Sequence, residues 1–160
     1  MPPRPIDPSD FQGCRKAALK SLARRDFCRN ELRSKLVRQG YESQIAAAVI
    51  QALEESKLLD DRAYIEHFIS HQSGRGQGPD RISRKLLALG LNCELVGRLI
   101  EEGHDWAASA QEARRKKFGP LLPTVKDDIH KQSQFLRYRG FATAQIRAAL
   151  RANIEIDVMA

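Results

Sequence analysis

The chain predicts an all-α fold of three tandem three-helix repeats, nine helices in all, stacked into an elongated array. Two observations carry that prediction. First, Gly40, Gly90 and Gly140 recur at intervals of fifty residues, each with a leucine four residues before it (Leu36, Leu86, Leu136) and a large apolar residue directly after it (Tyr41, Leu91, Phe141). A glycine that ends one helix, followed by an apolar stripe that opens the next, marks a helix–turn–helix element, and copies at one period mean a tandem repeat. Second, the apolar residues follow a helical period throughout, with no convincing period-two strand. The expected boundaries are a disordered lead-in at 1–9, repeats at 10–57, 58–103 and 104–153, and a tail at 154–160. Extended arrays present long surfaces, which suit binding better than enclosing a reaction.

The first helix is expected over about 10–24, with Ala18, Leu19, Leu22 and Ala23 on its apolar side. Arg25-Asp26-Phe27 makes the turn, and a second helix over about 28–39 carries Leu32 and Leu36 before Gly40 stops it. The third runs from near Ser43 to near Ser56 with Ile45, Val49, Ile50 and Leu53 inward. Asp60-Asp61 supplies capping carboxylates for the fourth, whose apolar face is Tyr64, Ile65, Phe68 and Ile69. The glycine-rich stretch 73–78 breaks it, and Pro79 suits the first turn of the fifth helix, which holds Ile82, Leu86 and Leu89. Asn92 caps the sixth, with Leu95, Val96, Leu99 and Ile100. The seventh opens near Asp105-Trp106 and carries Ala107, Ala110, Ala113 and Phe118. Thr124 with Asp127 resembles a capping box for the eighth, which reaches Arg139, and Thr143 is expected to cap the ninth, where only Ile146 and Leu150 are clearly apolar.

Composition narrows the partner. The 160 residues carry 27 basic and 20 acidic side chains, a net charge of +7, which favours a polyanionic partner, either nucleic acid or an acidic protein surface. Cys14, Cys28 and Cys93 form no CxxC pair and no disulfide framework, which fits a reducing cytosol. The proline-rich start lacks the apolar stretch of a secretory signal, and no run approaches the length of a membrane span.

Catalytic constellations fail one by one. The Gly74–Gly78 stretch lacks the Gly-Lys-Ser/Thr of a phosphate loop and follows a helix, so it reads as a flexible basic surface loop flanked by Arg75 and Arg81. His67 and His71 stand four apart, as zinc ligands can, but without the glutamate of HExxH or a third ligand they read as exposed histidines. No serine or cysteine sits in a nucleophile elbow. Asp60-Asp61 and Asp127-Asp128 both fall at helix starts, where capping explains them. The basic residues are the informative set. Nine of them between Arg15 and Arg38 face two acidic residues, and Arg25, Arg29 and Arg33 step by four. A second cluster is Arg75, Arg81, Arg84 and Lys85; a third is 114–117 with Lys126, Lys131, Arg137 and Arg139. A solvated helix face explains any one of them, but recurrence in each repeat points to a continuous basic stripe.

Four segments resemble the RecX family, bacterial regulators of the RecA recombinase. They are Arg-Asp-Phe-Cys-Arg-Asn-Glu-Leu-Arg-Ser-Lys-Leu at 25–36, Leu-Leu-Asp-Asp-Arg-Ala-Tyr-Ile-Glu-His-Phe-Ile at 58–69, Gly-Gln-Gly-Pro-Asp-Arg-Ile-Ser-Arg-Lys-Leu with Gly90 at 76–90, and Phe-Leu-Arg-Tyr-Arg-Gly-Phe at 135–141. The similarity spans about residues 12–151 in the family's own order. It implies a curved, elongated molecule that lies along the groove of the RecA–DNA filament and reduces strand exchange and ATP hydrolysis by RecA without being an enzyme. The expected partners are that filament and, more weakly and without sequence preference, single- and double-stranded DNA. The chain is expected to be cytoplasmic and monomeric, with no membrane contact, no cofactor, no metal and no catalytic residue. The residues expected to meet the partner are Arg24, Arg25, Arg29, Arg33, Arg75, Arg81, Arg84, Lys85, Arg115, Lys116, Arg137 and Arg139. The family usually has serine where this chain has Cys28; cysteine caps poorly, so Asp26 is expected to cap the second helix. The competing reading is a helix–turn–helix protein that binds DNA directly, without RecA, and shows sequence preference. A nuclease would need an acidic cluster freed from capping.

Overall fold

A computed structural model describes residues 1–151 and is all-helical over them; the expectations for 152–160, including the tail, lie outside the described residues. Nine helices follow in order among these residues: α1 Phe11–Arg24, α2 Arg29–Arg38, α3 Ser43–Glu55, α4 Asp61–Gly74, α5 Pro79–Ala88, α6 Cys93–Glu101, α7 Trp106–Phe118, α8 Lys126–Tyr138 and α9 Thr143–Leu150. They group into two compact units, Met1–Tyr64 with Leu89–Leu91, and Ile65–Ala88 with the described residues from Asn92.

In the first unit α1 and α2 pack on α3. Its core is the set of inward positions that the helical spacing marks: Cys14 and Ala18 from α1, Leu32 and Leu36 from α2, Ala46, Val49, Ile50 and Leu53 from α3, closed by Phe27, Tyr41 and Leu59. A fully buried leucine such as Leu32 or Leu36 stabilises the fold by about 1.5–3 kcal/mol relative to an exposed one. In the second unit α7 packs on α9, α8 lies against both, and α5 packs on α6. Ile82, Leu86, Val96, Leu99, Trp106, Ala110, Ile129, Leu136, Phe141 and Ile146 are buried there.

The recurring leucine–glycine–apolar signature has a specific backbone meaning. At the end of α2 the Gly40 N–H donates to Val37 O at 3.0 Å and the Tyr41 N–H to Leu36 O at 3.3 Å. At the end of α8 the Gly140 N–H donates to Arg137 O at 3.0 Å and the Phe141 N–H to Leu136 O at 3.1 Å. These are Schellman stops, in which the residue after the left-handed position covers the residue five before it. The leucine and the apolar residue of the repeat are those two positions. Gly40, Gly90 and Gly140 have φ of +112°, +77° and +97°, as expected of left-handed helix ends.

Gly140 also permits a close approach. The Gly78 N–H donates to Arg139 O at 2.7 Å and the Asp80 N–H to Gly140 O at 3.0 Å, so the last carbonyls of α8 satisfy the first N–H groups of α5. A Cβ on Gly140 would lie 2.5 Å from the Arg81 Cβ and 2.7 Å from its backbone nitrogen. The stretch 74–78 is therefore no free loop. It is a second-unit Schellman stop on α4, with Gly76 N–H on Ser73 O at 3.0 Å and Gln77 N–H on Gln72 O at 3.1 Å, pinned at its far end by Arg139.

Capping follows the sequence at Asn92, whose side chain accepts from Leu95 N–H at 3.0 Å, and at Asp60, which accepts from Arg62 N–H at 2.9 Å. It departs in three places. Cys28 makes no side-chain cap bond, and the carboxylate expected from Asp26 comes from Asp61, 32 residues away, which accepts the Arg29 N–H at 2.7 Å. Val125, not Thr124, stands at the start of α8, without a side-chain cap. Thr143 lies inside α9, where Gln145 Oε1 instead accepts the Ala142 N–H at 2.8 Å. The lead-in is tied at its end, because the Glu42 N–H donates to Pro8 O at 2.9 Å.

Candidate functional site

The first basic cluster is split by structure. Arg24 ends α1 and is exposed. Arg25 lies in the turn before α2, its guanidinium 3.6 Å from the Phe27 ring centroid, donating to Glu31 Oε1 at 2.7 Å and to Asp26 O at 2.9 Å. The Glu31 hydrogen bond raises the Arg25 pKa further. Only Arg29 and Arg33 share the face of α2. Arg29 Nε lies 3.4 Å from Glu54 Oε1, and Arg33 donates to Ser43 Oγ at 2.9 Å. These exposed pairs each stabilise by about 0–1 kcal/mol, so they order the side chains more than they hold the fold. A shallow depression of about 410 Å³ lies beside Arg33 and Arg38, lined also by Asn30, whose side chain donates to Gly90 O at 3.0 Å.

Burial pushes the Tyr64 phenol up to about 12 and the Cys28 thiol upward, so both stay protonated at neutral pH, which is unfavourable for nucleophilic chemistry. His67 and His71 are both exposed on α4. Among the described residues no group of three or more His, Cys, Asp or Glu could hold a metal ion, and no helix is long and apolar enough to cross a membrane.

The second and third clusters meet within the second unit. Arg75, on the turn after α4, joins Lys116 from α7 and Arg139 from the end of α8 around one cleft of about 690 Å³. Arg139 donates to Arg75 O at 3.4 Å and sits 5.1 Å from the Phe135 ring centroid. Arg115, expected to meet the partner, stays exposed but forms a two-pronged pair with Glu112, at 2.9 and 3.0 Å, and that hydrogen bond holds the Glu112 carboxyl below its ordinary range. Arg81 is half-buried, 5.2 Å from the centroid of the Tyr138 ring. Lys85 donates to Gln72 Oε1 at 3.4 Å; Arg84 and Arg137 are exposed.

One member of the 114–117 run does not belong on a surface. Arg114 is buried, donating to Leu121 O at 3.0 Å and to Gln132 Oε1 at 3.4 Å, where it ties the connection after α7 to α8. Its spacing gives it away: Trp106, Ala110, Ala113 and Arg114 are the buried stripe of α7. Sequence reasoning missed Tyr138, a large aromatic that is 76% exposed beside the Arg81 guanidinium; Lys117, counted in the 114–117 run but not among the residues expected to meet the partner, lines the cleft.

The chain is similar to known proteins along most of its length. The family description "RecX, first three-helix domain" matches residues 14–53, and "RecX, third three-helix domain" matches residues 105–150. Among curated proteins, the "Regulatory protein RecX" of Halorhodospira halophila is 38% identical over 147 residues, covering 91% of each chain. That of Vibrio vulnificus is 36% identical over 88% of this chain and 92% of its own. The crystal structure of RecX from Lactobacillus salivarius superposes with a TM-score of 0.75 at 18% identity, covering 88% of this chain and 94% of that one, a likeness of fold.

Proposed function

The chain belongs to the RecX family, and from that membership we propose that it binds the RecA–DNA filament along its groove and lowers RecA strand exchange and ATP hydrolysis, in the control of DNA repair and recombination. The observation that carries this reading is the match over nine-tenths of the chain, which includes the three-helix units at both ends. Charge supports it: the net charge is +7, and Arg24, Arg29, Arg33, Arg75, Arg84, Lys85, Lys116 and Arg137 are exposed. Such side chains suit phosphates or acidic patches of a filament. The protein acts by binding, as a cytoplasmic monomer without catalysis or cofactor, and contacts single- and double-stranded DNA more weakly and without sequence preference.

The deciding experiment is a pull-down that compares RecA alone, RecA assembled on single-stranded DNA, and DNA alone, with RecA ATPase followed in parallel. Retention is expected to be strongest on the assembled filament, with ATPase falling as the protein is added. Strong, sequence-selective retention on DNA with no effect on RecA would replace this reading with a direct DNA-binding helix–turn–helix protein.

A further inference from the structure

We infer that the cleft between the α4 turn, α7 and α8 is a binding site for a nucleoside phosphate, taken as one unpaired nucleotide of a single strand. Its rim is cationic: Arg75, Lys116, Lys117 and Arg139 stand against the single carboxylate of Glu112, a net +3 from four positive charges and one negative. The His104 imidazole in its wall adds no charge at neutral pH, because burial lowers its pKa. Ser70 offers a hydroxyl, those of Ser73 and Ser109 being engaged with Ser70 O at 3.1 Å and His104 Nε2 at 2.9 Å, and Ala108, Ala113 and Phe135 form an apolar wall. Anionic and apolar halves on one ligand fit that lining, with phosphate at the rim and base against the wall.

The site is built before any ligand arrives. Arg139 is held by the Arg75 carbonyl at 3.4 Å and by the Phe135 ring beneath it, so little side-chain freedom is lost on binding. Phe135 is in turn fixed edge-on by Phe118 at 5.3 Å. A volume of about 690 Å³ fits a single nucleotide with water, and a base reaches the wall only if it is unpaired, since a duplex keeps its bases stacked inside.

This inference does not rest on filament binding, and its test contains no RecA. The full chain is titrated against a fluorescent single-stranded oligothymidylate, a duplex of the same length, and free thymidine monophosphate. Arg75→Gln with Lys117→Gln removes two rim charges from exposed positions. Arg98→Gln with Arg147→Gln removes two exposed charges elsewhere in the same unit, and Ala108→Phe fills the cleft without changing charge. The rim variant is expected to weaken single-strand binding about tenfold and the filled variant to do the same, while the remote pair changes it less than about threefold. Competition by the monophosphate identifies the free nucleotide as a second source of the same ligand. Its failure, with the rim and filling effects intact, assigns the site to a nucleotide within a strand. Equal loss from the rim and remote pairs would mean diffuse charge and overturn the inference, as would duplex binding tighter than single-strand binding or indifference to Ala108→Phe.

Discussion

Gly140 joins two constraints that no other residue type meets. Its φ of +97° lies where a side chain is strained, and α5 approaches so closely that a Cβ would press on Arg81. Left-handed strain costs about 1–2 kcal/mol and an overpacked contact about 1–3 kcal/mol. Gly140→Ala should therefore lower stability by about 3 kcal/mol in urea unfolding, and Gly40→Ala by less, since the nearest atom to its Cβ is an Ile6 methyl at 4.0 Å. The glycines were legible in the sequence as stops; that one of them also touches α5 was not, because its neighbour Arg81 lies 59 residues away. His104 gives a pH signature. Burial lowers its pKa below 6.5, while Ser109 Oγ lies 2.9 Å from Nε2 and the Trp106 ring centroid 4.0 Å away. Between the folded value and 6.5 the unfolded chain binds more protons, so stability rises with pH across that window and falls on acidification through it. An NMR titration should place the His104 midpoint below 6.5, and His104→Gln should flatten this part of the stability profile.

At the scale of elements, helix ends are where expectation and structure part. Among the described residues nine helices follow the apolar period within a few residues of the expected ranges, because burial of one face decides a helix and that face is written locally. Caps are less local. Local sequence points to Asp26, within the turn, as the cap of α2, whereas Asp61 at the start of α4 accepts the Arg29 N–H. Asp61→Ala should cost about 1 kcal/mol, the usual value of a cap, and should loosen α2 more than α4. Amide exchange checks this: the first turn of α2 should become less protected while α4, still capped by Asp60, keeps its own protection. Arg114 shows the opposite relation. Its place on the buried stripe of α7 was available from the spacing, but four consecutive basic residues read more easily as one exposed run.

For the molecule as a whole, charge sets the partner class and packing decides which charges remain available. Arg25 and Arg115 are engaged with Glu31 and Glu112. Arg33, Arg84 and Arg137 are exposed and pair with no carboxylate among the described residues. If they meet phosphates, filament affinity falls linearly in log–log plots against salt. Changing all three to glutamine should then lower that slope by roughly 0.9 for each phosphate that is no longer neutralised. A slope equal to that of the parent protein would assign these residues to solvent.

Helical class, repeat, family and basic character can all be read from the amino-acid order, because each is carried by residues within one or two helical turns or by summed composition. Four features depend on packing across the chain: Asp61 caps a helix begun 32 residues earlier, the ends of α8 and α5 satisfy each other, Arg114 is interior, and Arg75, Lys116 and Arg139 surround one cleft. The physical reason is range. A helix closes its own hydrogen bonds within four residues, whereas orphaned helix ends and long cationic side chains take whichever partner packing brings within about 3 Å.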